Sequence, residues 1–166
     1  RGTRKRDHPQ SFSYHTPWWS DYHVMADYFT RLSAALSHGE QIHRILVLEP
    51  TTSAWMYQPA PSGREAMMDI GHQFQAVINA LERDQVEYDL GCEDIIARHG
   101  SVAVDGPALV VGERRYHTLV VPPRTENLNG PTARLLEQWT AAGGRVLCCG
   151  EPPARAGARS VTRTSP

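Results

Sequence analysis

The 166-residue sequence predicts an α/β domain built on a mainly parallel sheet, and three observations predict it. Apolar runs suited to strands covered on both faces recur at Ile45–Leu48, Tyr116–Val121 and Arg145–Cys149. Segments with apolar residues at offsets of three and four separate them, as amphipathic helices require. Glycine and proline punctuate the joins.

Residues 21–38 read as the first helix. Val24, Met25, Tyr28, Phe29, Leu32, Ala35 and Leu36 form one stripe. Ser20 or Asp21 suits its N-cap, and Gly39 suits the left-handed position past its end. Ile45–Leu48 is the first strand. Residues 50–62, with Pro50, Pro59 and Pro61, read as a loop. Ser62 and Glu65 have the spacing of a capping box. They open a helix with Ile70, Phe74, Val77, Ile78 and Leu81 on one face. Val86–Leu90 reads as the second strand and Cys92–His99 as a short helix or turn. Val102–Val104 and Ala108–Val111 flank Asp105-Gly106-Pro107, the pattern of a small hairpin.

Tyr116–Val121 is the third core strand, stopped by Pro122-Pro123. Pro131 fits the first turn of the next helix. Leu135, Leu136, Trp139 and Ala142 form that helix's stripe, and Gly143-Gly144 end it. Arg145–Cys149 is the fourth core strand. The apolar pattern stops at Pro152, so residues 153–166 are expected to be a disordered tail. Helices between strands imply right-handed crossovers and helices on both faces. The skeleton is a three-layer, flavodoxin-like α/β arrangement with a small hairpin insertion.

Composition excludes several roles. Hydrophobic residues make up 40%, as in a globular protein. No apolar run reaches the length of a membrane span. Seven of the 17 basic residues lie at the ends: Arg1, Arg4, Lys5, Arg6, Arg155, Arg159 and Arg163. All 18 acidic residues lie between them. A body that acidic is poorly suited to nucleic acid. Cys92, Cys148 and Cys149 give no spaced disulfide framework and read as small buried hydrophobes. Cys148 and Cys149, adjacent on a strand, point to opposite faces and cannot chelate together.

In a parallel sheet, ligands bind beyond the carboxyl ends of the strands. Candidates there are residues 49–57, 89–94, 122–129 and Glu151. The connection after the first strand has neither a GxGxxG nor a GxxxxGK[ST] motif. Thr51-Thr52-Ser53 offers only a hydroxyl-rich mimic of a flavin-phosphate loop. Cys92 follows a glycine but lacks the second glycine of a nucleophile elbow, and no His-x-Glu lies downstream. Eight scattered histidines include no HExxH and read as surface residues, with His117 structural inside its strand. No metal or cofactor is therefore expected. Glu49 and Glu151 both end strands and could share an edge, the arrangement glycoside cleavage needs. The aromatics carry more. Trp18, Trp19, Trp55 and Tyr57 lie in non-periodic, proline-flanked segments, where an exposed ring can stack on a sugar or join two domains. Trp139 lies on a helical stripe and belongs to the core.

The chain opens at Arg1 on a polar, aromatic stretch. We read residues 1–20 as a lead-in from an upstream domain and 21–152 as the α/β domain. RKRDHPQSFSYHTPWW, DYFTRLSAALSHG and RILVLEPTTSAWMY are followed by VEYDLGCEDII, GERRYHTLVVPP and LLEQWTAAGGRVLCCGEPP. This series resembles the segment after the catalytic barrel in large bacterial glycoside hydrolases, notably the α-L-rhamnosidase family 106 and related family-2-like sugar-binding proteins. It is also similar to the trimerisation domain of family 42 β-galactosidases, which has a class I glutamine-amidotransferase-like fold without the nucleophile. The resemblance implies a non-catalytic accessory domain in a carbohydrate-active enzyme. The catalytic carboxylates would lie in the upstream barrel, which is the expected partner. Carbohydrate and a second copy of the chain are the other partners it allows. An amidotransferase-type enzyme using Cys92 and a flavin- or nucleotide-binding module are the alternatives.

Overall fold

The computed structural model describes residues 13–58 and 61–157, together with the backbone of residues 159 and 160. The basic N-terminal residues and the end of the tail lie outside it. The described residues fall into two compact units that divide after Gln41.

The first unit carries a 3-10 turn, Trp19–Asp21, and helix α1, Tyr22–Leu36. Asp21 is the N-cap residue, but its side chain makes no capping hydrogen bond. Gly39 does adopt a left-handed conformation, at φ 87°. The helix grouped by sequence with the α/β body therefore belongs with the lead-in, and it buries none of its own residues.

The second unit is mixed α/β. Its central sheet contains β1 Ile45–Leu48, β2 Asp89–Gly91, β6 Thr118–Val121 and β8 Arg145–Cys148. The strands are all parallel, in the order β2-β1-β6-β8. Side-chain alternation sorts the apolar residues into two cores. Val47 and Val120 face helix α3, Arg64–Arg83, which supplies Phe74, Val77, Ile78 and Leu81. Leu46, Leu48, Leu119 and Val121 face the other way, toward Ile96 of α4, Glu93–His99, and Leu136 and Trp139 of α5, Gly130–Ala141. The helix stripes read from sequence thus cover opposite faces of one sheet.

Trp139 is fully buried, and its Nε1 donates to Pro107 O at 3.1 Å. It packs so close to the following turn that a Cβ on Gly144 would sit 2.3 Å from its ring. Asn129 caps α5 by accepting from Thr132 N at 2.8 Å, and Pro131 stands in the first turn as expected.

Several boundaries differ from the sequence reading. The segment read as a loop contains helix α2, Thr51–Tyr57. The Ser62–Glu65 capping box does not form. A 3-10 turn, Pro61–Gly63, runs directly into α3, whose start carries no side-chain cap. Gly63 is required there, since a Cβ would meet the Tyr57 carbonyl oxygen at 2.0 Å. The second strand begins at Asp89 rather than Val86, because Val86 N is spent on Leu81 O at the end of α3.

The hairpin gains a third strand. β3 Gly100–Val102, β4 Leu109–Val111 and β5 Arg114–Tyr116 form a small antiparallel sheet. Tyr116 pairs with Leu109 in that sheet, while Thr118 pairs with Ile45 in the central one. The expected continuous strand therefore breaks at His117. The tail is ordered further than expected. β9 Arg155–Ala156 runs parallel to β7 Asn127–Leu128 and antiparallel to β10 Arg159–Ser160. Among the cysteines, Cys148 and Cys92 are partly buried and Cys149 is exposed, against the expectation of three buried thiols.

Candidate functional site at the carboxyl edge of the sheet

The order β2-β1-β6-β8 means that the chain moves outward from β1 in one direction and then crosses to the other side. In open α/β sheets the crevice at such a reversal is the usual ligand site. Here it lies between the carboxyl ends of β1 and β6, and α2 spans it. Ser53, fully buried on α2, accepts the backbone N–H of Glu126 at 2.9 Å and of Asn127 at 3.0 Å. Its hydroxyl donates to Asn127 O at 3.1 Å. The hydroxyl and the amides suited to a bound phosphate are thus spent on one another.

Polar groups continue outward from this plug. Tyr57, also on α2, donates its hydroxyl to Glu126 Oε2 at 2.7 Å. That bond, then burial and the Glu126 charge, raise the Tyr57 phenol above its ordinary value. Arg124 pairs with Glu126 at 3.3 Å and with Asp69 of α3 at 3.5 Å. Its backbone is left-handed, at φ 62°, a conformation that costs an L-residue with a side chain about 1 kcal/mol or more. Arg124 lines two cavities. An open groove of about 860 Å³ runs past Ser62, Arg64, Glu65, Asp69 and His72. A more enclosed hollow of about 310 Å³ is bounded by Thr125, Glu126, Glu151 and Arg155.

The sequence-predicted residues separate into two groups. Trp18 and Trp19 belong to the first unit and flank Tyr22. Trp19 stacks on the Tyr22 ring at 5.8 Å between centroids, and Trp18 tilts against it at 6.1 Å. Trp55 and Tyr57 belong to the second unit. Trp55 is 64% exposed, whereas Tyr57 turns inward to Glu126. Sequence reasoning flagged residues 49–57 and 122–129 but missed Ser53 as a plug and Arg124 as the shared wall. The only local signal for Arg124 is its place directly after Pro122-Pro123.

Cys92 lies at the carboxyl end of β2 with ordinary extended backbone, φ −76° and ψ 126°. A nucleophile elbow is instead a sharp, strained turn. His43 and His117 lie at the amino ends of β1 and β6, the opposite edge. There His43 Nδ1 bonds Asp89 Oδ1 at 2.7 Å, so this histidine is half-buried and paired rather than on the surface. Glu49 and Glu151 border different cavities and lie past the ends of β1 and β8, strands separated by β6. Buried Glu93 bonds Asn129 N at 2.6 Å and ties α4 to the start of α5. Among the described residues no three His, Cys, Asp or Glu side chains stand together as metal ligands. No helix among them is long and apolar enough to cross a membrane. No protein-family model, curated protein or solved structure matches the chain.

Proposed function

We propose that this chain is a non-catalytic accessory domain of a multi-domain glycoside hydrolase, with a flavodoxin-like, glutamine-amidotransferase-like body. The single observation that supports it best is the Ser53 plug. The crevice where a doubly wound sheet ordinarily holds its ligand is closed by the chain's own α2, held by three hydrogen bonds. The flavin reading needs the Thr51–Ser53 hydroxyls free, and Ser53 is committed. The Cys92 enzyme reading needs a strained elbow with a base beside it, and the histidines next to the strands lie at the other edge.

The exposed rings suit the accessory role. Trp55 projects from α2 beside the carboxyl edge, and Trp18 and Trp19 are 37% and 43% exposed. Aromatic faces of this kind stack on sugar rings or on a neighbouring domain. The domain packs against a catalytic barrel and presents Trp55 toward its substrate.

The test compares aryl-glycoside hydrolysis by this chain, by the polypeptide encoded with its upstream neighbour, and by that parent carrying Trp55→Ala. The chain alone is expected to be inactive and the parent active. Trp55→Ala is expected to raise KM severalfold with little change in folding, because the side chain is exposed. Hydrolysis by the isolated chain, or an upstream sequence with no barrel, would overturn the proposal.

A further inference from the structure

Strand β8 ends the central sheet, and among the described residues no strand lies beyond it. Its backbone is aimed for another. Cys149 N donates to Val121 O at 2.9 Å, so the odd-numbered residues direct their peptide groups at β6. By strand alternation the N–H and C=O of Val146 and Cys148 point at the open edge. The side chains alternate as well. Val146 and Cys148 are half-buried and line an apolar crevice of about 230 Å³ against α5, with Leu136 and Thr140. Arg145, Leu147 and Cys149 are exposed on the other face, where Leu147 is 54% exposed. Natural edge strands are ordinarily protected by an inward charge, a bulge or a proline. β8 has none of these along Val146-Leu147-Cys148.

We infer that β8 pairs with β8 of a second copy, antiparallel across a two-fold axis, to make one continuous eight-stranded sheet. The register follows from the geometry. Residues opposite each other must share a face, and the outward peptide groups must meet. Placing the axis at Leu147 satisfies both. Val146 then faces Cys148 of the second copy as a hydrogen-bonded pair, twice over, giving four backbone bonds. Leu147 meets Leu147 in the close, non-hydrogen-bonded position and buries the exposed leucine of each copy. Arg145 lies opposite Cys149 of the second copy at each end of the interface. A two-fold contact is self-complementary in this way. The pairing stands whether or not the chain serves a glycoside hydrolase.

Sedimentation velocity on the full chain tests the interface, together with Leu147→Arg and Arg145→Cys. Wild type is expected to dimerise in the micromolar range. Leu147→Arg sets two guanidinium groups face to face and should weaken the dimer at least tenfold. Its far-UV dichroism should be unchanged, and so should its melting at concentrations where both chains are monomeric, since Leu147 is exposed in the single chain. Under mild oxidation Arg145→Cys should form an intermolecular disulfide with Cys149, lost when Cys149 is also changed to Ser. Opposed residues in an antiparallel pair stand within disulfide reach. A wild-type chain that stays monomeric into the submillimolar range overturns the inference. So does a dimer indifferent to Leu147→Arg, or an Arg145→Cys chain whose cross-link survives Cys149→Ser.

Discussion

Ser53 holds the Asn127 peptide from both ends, accepting its N–H at 3.0 Å and donating to its C=O at 3.1 Å. One hydroxyl thereby replaces a strand neighbour for the turn after β6 and fixes α2 above the sheet. Ser53→Ala leaves one buried N–H, one part-buried N–H and one buried carbonyl without this partner. It should cost about 3 kcal/mol, read as a lower urea midpoint at unchanged slope. A loss below about 0.5 kcal/mol would mean that α2 is not anchored through this side chain.

The Trp139 ring leaves no room at Gly144, where a Cβ would approach it to 2.3 Å. Gly144→Ala should destabilise by about 2 kcal/mol or more, since the fully buried indole cannot withdraw without losing its bond to Pro107 O. Thermal melting of the variant reads this directly. A melting temperature equal to wild type would show that the turn shifts freely.

Tyr116 is buried and donates its hydroxyl to Asp89 Oδ2 at 2.8 Å. Burial first, then that bond and the Asp89 charge, raise its phenol far above the ordinary value of 10.0. Above pH 10 the unfolded chain gives up this proton while the folded one keeps it. The Tyr116 contribution is therefore complete below pH 10 and is lost as pH rises through the folded value. Burial raises the partly buried Cys148 thiol in the same sense, starting from pH 9.0. Tyr116→Phe should flatten the fall in melting temperature between about pH 10 and 11. A fall as steep as wild type would place the alkaline loss elsewhere.

Arg124 combines a left-handed backbone with a half-exposed ion-pair network. Arg124→Gly and Arg124→Ala both remove the guanidinium, but only glycine relieves the backbone. The glycine variant should be more stable than the alanine variant by about 1 kcal/mol, measured by denaturant unfolding. Equal stabilities would show that the turn relaxes out of the left-handed region.

Much of the α/β body was legible in the sequence because buried parallel strands read as unbroken apolar runs. Ile45–Leu48 fell where expected, and so did the Gly130-Pro131 helix start. The errors share a cause: local signals lost to tertiary ones. Prolines 50, 59 and 61 suggested a loop, yet Pro50 sits at the N-cap of α2, where a missing N–H costs little. Ser62 looked like a cap, but the close approach of Gly63 to Tyr57 decided how α3 begins. Residues Pro152 to Ala156 lacked periodicity, yet two residues sufficed for β9 because β7 offered a partner. At the candidate site, Trp55 was singled out by its proline-flanked place in the sequence, and it stands exposed on α2. The role of Ser53 could not, since it depends on amides 73 and 74 positions away.

The short parallel ladder between Leu128 and Ala156, closed by Gly157 N on Leu128 O at 2.7 Å, makes the last described residues part of the body. Pro152, Pro153 and Arg155 wall the apolar crevice beside β8. A protease nick or a stop codon near Gly150 would strip that wall and open a greasy slot over Leu136 and Val146. The shortened product would then be the sticky one, prone to clump, although every helix and all four central strands would still be encoded.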